Sequence, residues 1–147
     1  MKNQKILLIE DDPDDEELIL QSLRNSNIGN DVDVCRDGQQ ALDYLFAKAE
    51  YADRAGAALP GVVLLDLNLP KLSGLQVLEQ IRKNSRTEFL PVVILTSSAE
   101  DEDRLASYKL RANSFVQKPV SFEAFSEAIK HMGVYWLVFN KPLPEPL

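Results

Sequence analysis

Eight polar residues follow four apolar runs along the chain. Glu10, Asp11 and Asp12 follow the first, Asp66 and then Asn68 the second, Thr96 and Ser97 the third, and Lys118, just before Pro119, the fourth. Two carboxylates about 4 Å apart repel by roughly 4 kcal/mol at an effective dielectric of 20, so they stay together only where a cation or a shared proton offsets that cost. An oxygen-only donor set without His or Cys suits Mg²⁺, which keeps several waters and readily takes a phosphate oxygen. A carboxylate beside Mg²⁺ and an ammonium is equipped to attack phosphorus, because both cations neutralise charge on a transferring phosphoryl group. The set therefore reads as an aspartyl-phosphate site. Asp66 is the candidate nucleophile, since it stands alone at its run's end and central among the others, with Asp11 facing it.

These residues matter only if the chain gathers them. Nearly continuous apolar runs lie at Ile6–Ile9, Val62–Leu65 and 92–95, with weaker ones at Val32–Cys35 and 114–116. A run apolar on both faces belongs to a parallel strand covered on each side by helices. Between the runs the spacing turns helical: Leu18, Ile19 and Leu23; Ala41, Leu42, Leu45 and Phe46; Leu75, Leu78 and Ile81; Phe122, Phe125, Ile129 and Met132. Segment 100–110 is the weakest, with Leu105 and Leu110 its apolar points. Five strands alternating with five helices predict a doubly wound α/β sandwich. In such a sheet all strand C-termini share one edge, which brings the polar set to one crevice.

The punctuation agrees. Pro13 suits a first helical position, and Ser73 before Gly74 and Ser121 before Phe122 suit helix caps. Segment 48–61 reads as a helix extension through its alanines or as a surface loop, and 141–147, with three prolines, as an unstructured tail.

Composition narrows the class. At 147 residues the chain suits one domain, which buries roughly 70% of the surface its unfolded form exposes. Sixteen basic against twenty-three acidic side chains give a net charge of −7, which argues against direct nucleic-acid binding through phosphates. The lone Cys35 forms no internal disulfide and reads as a small buried hydrophobe. No apolar run nears the roughly 20 residues of a membrane span, so the expectation is a cytoplasmic protein.

On the segments ILLIEDD, VVLLDLNLPKLSG, VVILTSS and FVQKP, with Asp66 thirty residues before Thr96 and fifty-two before Lys118, the sequence resembles the receiver domains of two-component response regulators. The resemblance covers about residues 4–134 and implies a flavodoxin-like fold with strand order 2-1-3-4-5. It implies that Asp66 accepts a phosphoryl group from a histidine kinase's phosphohistidine. It further implies that Asp11, Asp66 and the Asn68 carbonyl ligate Mg²⁺ with help from Glu10. Lys118 and Thr96 would then contact the phosphoryl group, Phe115 would change rotamer with it, and the Lys118–Pro119 bond would be cis. Segment 48–61 and the SFEAFSEAIKHMGVYWLVFNKPLPE stretch resemble the stand-alone phytochrome-associated regulators more narrowly. That likeness implies a phytochrome-type photoreceptor kinase as donor and a homodimer. Residues 1–134 would be the receiver and 135–147 a dimerisation arm and tail. Ser73, where an acid or amide is common, and Arg111, where a helix-ending glycine is usual, depart from the pattern.

Other features have plainer readings. Asp14, Asp15, Glu16 and Glu17 belong to a solvated helix start, and His131 is a partner of a helix C-terminus. The stripe Phe122, Phe125, Ile129, Met132, Trp136, Phe139 is core in its first half. Past Gly133, with Tyr135, Leu137 and Val138 also apolar, it exceeds what one helix face buries and predicts an intermolecular contact. Phe125, Ile129, Met132, Tyr135, Trp136 and Phe139 are the expected interface residues. Two rival functions are weaker. A phosphohydrolase of the haloacid-dehalogenase type needs an acid two residues after the nucleophile, where Asn68 stands. A flavin carrier needs a phosphate loop where the chain has acids. A phosphorylation-independent dimeric adaptor is the remaining alternative to a signalling switch that modifies only itself.

Overall fold

The computed structural model describes residues 4–119 and 121–144. Strands β1 (Ile6–Ile9), β2 (Val32–Cys35), β3 (Val62–Leu65), β4 (Val92–Thr96) and β5 (Ser114–Gln117) form one parallel sheet in the order β2-β1-β3-β4-β5. The helices are α1 (Pro13–Asn25), α2 (Gly38–Phe46), α3 (Gly74–Lys83), α4 (Asp101–Lys109) and α5 (Phe122–Val134). This is the flavodoxin-like architecture, and its order reverses at β1 and β3, which pair with Ile9 opposite Leu65.

Both faces of the sheet are buried, as the apolar runs require. Leu7, Ile9, Val63, Leu65, Val92 and Ile94 point to the side covered by α2 and α3, where Leu45, Leu78 and Ile81 meet them. Ile6, Leu8, Val62, Leu64, Val93 and Leu95 point to the side covered by α1 and α5, against Ile19, Leu23, Phe125 and Ile129. Cys35 is enclosed in the first of these layers.

Local chemistry sets the helix starts. Asp12 caps α1 by accepting from the backbone N–H groups of Asp14 and Asp15, and Pro13 takes the first turn, where a missing N–H costs little. Ser73 and Gln76 form a reciprocal capping box at α3. Gly74 has a steric role, because a Cβ there would run into the Asp66 carbonyl and lie 2.7 Å from Leu67 Cα. The helix carrying Ser73 can therefore sit against the loop that carries Asp66 only with glycine at this position.

Several expectations change. The alanine-rich part of segment 48–61 neither extends α2 nor stays irregular: Ala49–Arg54 is a 3-10 segment. Tyr51 packs edge-on against Tyr44 at 5.4 Å, and the Arg54 guanidinium lies 3.6 Å from the centre of the Tyr44 ring, which holds the segment onto α2. Phe122, expected in the core, is 63% exposed: it is the first residue of α5, and the core encloses Phe125, one turn further on. Leu105 is exposed too, while Leu110 packs against the α2–α3 side. Arg111 adopts the left-handed φ of 63° that its glycine-like position predicts. All peptide bonds among the described residues are trans, Lys118–Pro119 included. The expected cis bond is thereby corrected to the isomer that X–Pro bonds favour by about 0.5–1 kcal/mol.

Beyond Val134 the helix widens into one π-helical turn, Tyr135–Phe139. Met132, Trp136 and Leu137 pack back against the α1–α5 layer, leaving Tyr135, Val138 and Phe139 exposed. Phe125 and Ile129, expected at an interface, are 4% and 0% exposed, so the chain's own core uses them. Residues 141–144 have no regular structure, and the last three of the expected tail lie outside the described residues.

Candidate functional site

The parallel sheet delivers the predicted polar set to one rim. Glu10 follows β1, Asp66 follows β3, Thr96 ends β4 and Lys118 follows β5. The Asp66 N–H donates to Ile9 O at 3.1 Å and the Lys118 N–H to Thr96 O at 2.7 Å, so each of these two candidates is tied to the neighbouring strand's end. Carboxylate oxygens of Glu10, Asp11 and Asp66 lie within 4.8 Å of one another. Asp11 is exposed, whereas Glu10 and Asp66 are 1% and 7% exposed, so the cluster opens to solvent on one side.

Lys118 is the counter-charge. Its Nζ donates to Glu10 Oε1 at 2.7 Å, Asp15 Oδ2 at 2.8 Å and Asp66 Oδ2 at 3.2 Å. Burial alone would pull this ammonium's pKa down, but the hydrogen bonds to Asp15 and Glu10 and the nearby Asp66 charge leave it raised, so it stays protonated. Glu10 moves the other way from an ordinary carboxylate. Burial, with the Asp66 charge adding to it, pushes its pKa up to about 7 against the opposing hydrogen bond from Lys118. One ammonium thus offsets only part of the charge of the carboxylates around it, which is the state a bound cation relieves.

The donor set fits a hard divalent cation: carboxylate oxygens converge, and neither His nor Cys is among them. Asn68, expected to offer its carbonyl, is exposed beside the cluster, and its N–H donates to Asp66 Oδ1 at 3.2 Å. Asp66 Oδ2 takes the Lys118 bond, so the two oxygens have different partners. Thr96 is fully buried at the rim, and its Oγ1 accepts from the Ser98 N–H at 3.3 Å. Phe115 is half-buried on β5, beside a small pocket shared with Ala99, Glu100, Arg104 and Gln117.

The acidic helix start is not uniformly solvated. Asp15 pairs with Lys118, and Glu16 holds Arg36 through two bonds of 2.9 and 2.8 Å. Asp14 remains exposed, and His131 is 81% exposed with Glu127 3.8 Å away. Nothing in the local sequence separates Asp15 from Asp14. The only available signal was helical phase, which turns the third residue of α1 toward the strand ends.

Known proteins with the same layout are numerous. The family model described as the response regulator receiver domain matches residues 6–130. A probable methanogenesis regulatory protein, FilR2 of Methanothrix harundinacea, is 38% identical over 92% of this chain and 85% of its own. Response regulator Rcp1 of Synechocystis is 35% identical over 90% of this chain and 88% of its own. Among solved structures, the phosphorylated cyanobacterial phytochrome response regulator RcpA superposes with a TM-score of 0.89 at 35% identity, covering 96% of this chain and 99% of its own. The Mn²⁺-bound form of Rcp1 gives 0.89 at 33% identity, with the same coverage. The bacteriophytochrome response regulator RtBRR gives 0.77 at 47%, over 97% of this chain and 86% of its own. Order of elements, rim chemistry and sequence all agree, and the chain belongs to the response regulator receiver domain family.

Proposed function

We propose that this protein is a phosphorylation-dependent signalling switch that accepts a phosphoryl group on Asp66 from the phosphohistidine of a histidine kinase. The observation that carries the reading is the Lys118 ammonium 3.2 Å from an Asp66 carboxylate that shares a rim with Glu10 and Asp11. Glu10, Asp11, Asp66 and the Asn68 carbonyl would hold Mg²⁺, which when bound neutralises charge on the transferring phosphoryl group. An Asp66 oxygen forms the new O–P bond as the donor's N–P bond breaks, and the bond electrons leave on the imidazole nitrogen. Lys118 supplies positive charge to a phosphoryl oxygen. Thr96 would turn its hydroxyl from the Ser98 N–H to donate to another oxygen, and Phe115 would move into the space that Thr96 leaves. Water later attacks the phosphorus and returns Asp66, so the chain turns over no external substrate.

The change at Thr96 and Phe115 would alter the face made by α4, β5 and α5, where Leu105, Tyr108 and Phe122 are exposed. A decisive shift needs several kcal/mol of differential stabilisation between the two states. Likeness to RcpA and RtBRR supports a phytochrome-type photoreceptor kinase in the cytoplasm as donor. Exposed Tyr135, Val138 and Phe139 support residues 135–147 as a homodimer arm appended to a receiver of residues 1–134. Phe139→Asp tests the arm: a dimer that elutes as a monomer on introducing the charge supports it, and an unchanged elution volume removes it.

The test of the central reading is incubation with Mg²⁺ and acetyl phosphate followed by intact mass. A gain of one phosphoryl mass that Asp66→Asn abolishes, with the variant still folded, is the expected result. A folded wild-type protein that gains no mass from either acetyl phosphate or a phosphorylated kinase would overturn it.

A further inference from the structure

Asp15 holds Lys118 through a contact that the mechanism above leaves without a role. It is the third residue of α1 and stands 103 residues from Lys118 in sequence, yet its Oδ2 accepts from Nζ at 2.8 Å, closer than Asp66 does. An ammonium carries three N–H donors. All three are engaged, by Glu10, Asp15 and Asp66, so at rest Lys118 has none free for a phosphoryl oxygen. One partner must be released when the group arrives. Asp66 is the acceptor itself. Glu10 is enclosed, and its other oxygen is held by the Asp12 N–H at 3.2 Å. The Asp15 side chain is 30% exposed, and water can replace Lys118 as its partner at small cost.

We propose that Asp15 is a positioning residue that acts through Lys118: it latches the ammonium at rest and yields it to the phosphoryl group. The proposal rests on the reading of Asp66 as phosphoryl acceptor. The latch is engaged only before transfer. It therefore raises the barrier to phosphorylation while leaving hydrolysis of the aspartyl phosphate, in which the pair is already parted, almost untouched. A purely structural contact would not produce that asymmetry.

The test follows phosphorylation by acetyl phosphate with Mg²⁺ through intact mass against time, then loss of the group after the donor is removed. Asp15→Asn keeps an acceptor oxygen and removes the charge. It should speed phosphorylation about fivefold, near 1 kcal/mol at 1.36 kcal/mol per decade, with the loss rate changed by less than about twofold. Asp15→Glu, which keeps the charge, should stay near wild type. Asp14→Asn removes an exposed charge from the same turn without touching Lys118, and should do the same. An Asp15→Asn rate equal to wild type overturns the latch, as does a parallel change in both rates. An Asp14→Asn acceleration of equal size overturns it too, because the effect would then be the general field of the acidic turn. If folded wild type is phosphorylated by neither acetyl phosphate nor a phosphorylated kinase, the Asp66 reading fails and the latch falls with it.

Discussion

Replacing Asp66 by Asn should make the metal-free protein more stable at pH 8, although it removes the proposed phosphoryl acceptor. The magnitude follows from three charges. The Asp66–Lys118 separation of 3.2 Å gives an attraction of about 5 kcal/mol at an effective dielectric of 20. Oxygens of Glu10 and Asp11 lie within 4.8 Å of Asp66, so each repels it by about 3.5 kcal/mol or more, together about 7. The balance is about 2 kcal/mol against the Asp66 charge, while Asn retains an acceptor for Lys118 and for the Asn68 N–H. For a chain of this length that corresponds to a rise in Tm of about 4–8 °C, read by thermal unfolding in chelator.

The same arithmetic predicts a pH dependence. The pKa of Glu10 is raised from 4.5 to about 7, chiefly by burial, with Asp66 adding to it. A carboxyl raised in the folded state contributes stability that is fully present below 4.5 and lost as pH rises through about 7. At pH 5 Glu10 is neutral and about 3.5 kcal/mol of repulsion is gone, so the advantage of Asp66→Asn should turn into a deficit of about 1.5 kcal/mol. Mg²⁺ at about a hundred times its dissociation constant stabilises the wild type by about 2.7 kcal/mol and should reverse the order at pH 8. An Asp66→Asn variant less stable than wild type in chelator at pH 8 would refute the reasoning. So would an advantage equal at pH 5 and pH 8.

Gly74→Ala should cost about 1–3 kcal/mol, because the added Cβ meets the Asp66 carbonyl and the backbone must move; urea unfolding measures the loss, and phosphorylation should slow with it. Arg82 is buried and donates to the carbonyls of Glu88, Leu90 and Arg111 and to Asn113 Oδ1, joining α3 to the loops before β4 and β5. Arg82→Leu should cost about 3 kcal/mol or more in urea unfolding, since it leaves enclosed carbonyls without donors. Burial pushes the Cys35 thiol up to about 12, so its contribution to stability is whole below the ordinary value of 9.0 and lost only as pH nears 12. Alkylation of Cys35 at pH 8 should accordingly be slow in the native protein and speed up with denaturant along the global unfolding curve.

The fold was legible because its signal is local. Four-residue apolar runs such as Val62–Leu65 can be satisfied only with both faces covered, and the helical spacing of Leu75, Leu78 and Ile81 supplies the cover. The rim that gathers the candidate site was legible for the same reason: a parallel sheet puts every strand's C-terminus on one edge, so Asp66, Thr96 and Lys118 share that edge whatever the loops do. Caps at Ser73 and Ser121 and the left-handed Arg111 are also written in a few neighbouring residues.

What the sequence did not carry depends on how whole elements face one another. Asp14 and Asp15 are chemically identical and adjacent, and only the rotation of α1 against β5 gives one of them Lys118. Phe122 and Phe125 share one helix, yet the sheet covers the second and not the first. Trp136 folds back onto the α1–α5 layer while Phe139 stays in solvent, because one apolar stripe exceeds the surface available to cover it. Residue type and spacing determined which groups could act and which edge would gather them. Tertiary packing decided which acid of the α1 start joins Glu10 and Asp66 in holding Lys118, and which aromatic rings remain free, because an ion pair or a buried ring requires a partner that sequence distance does not specify.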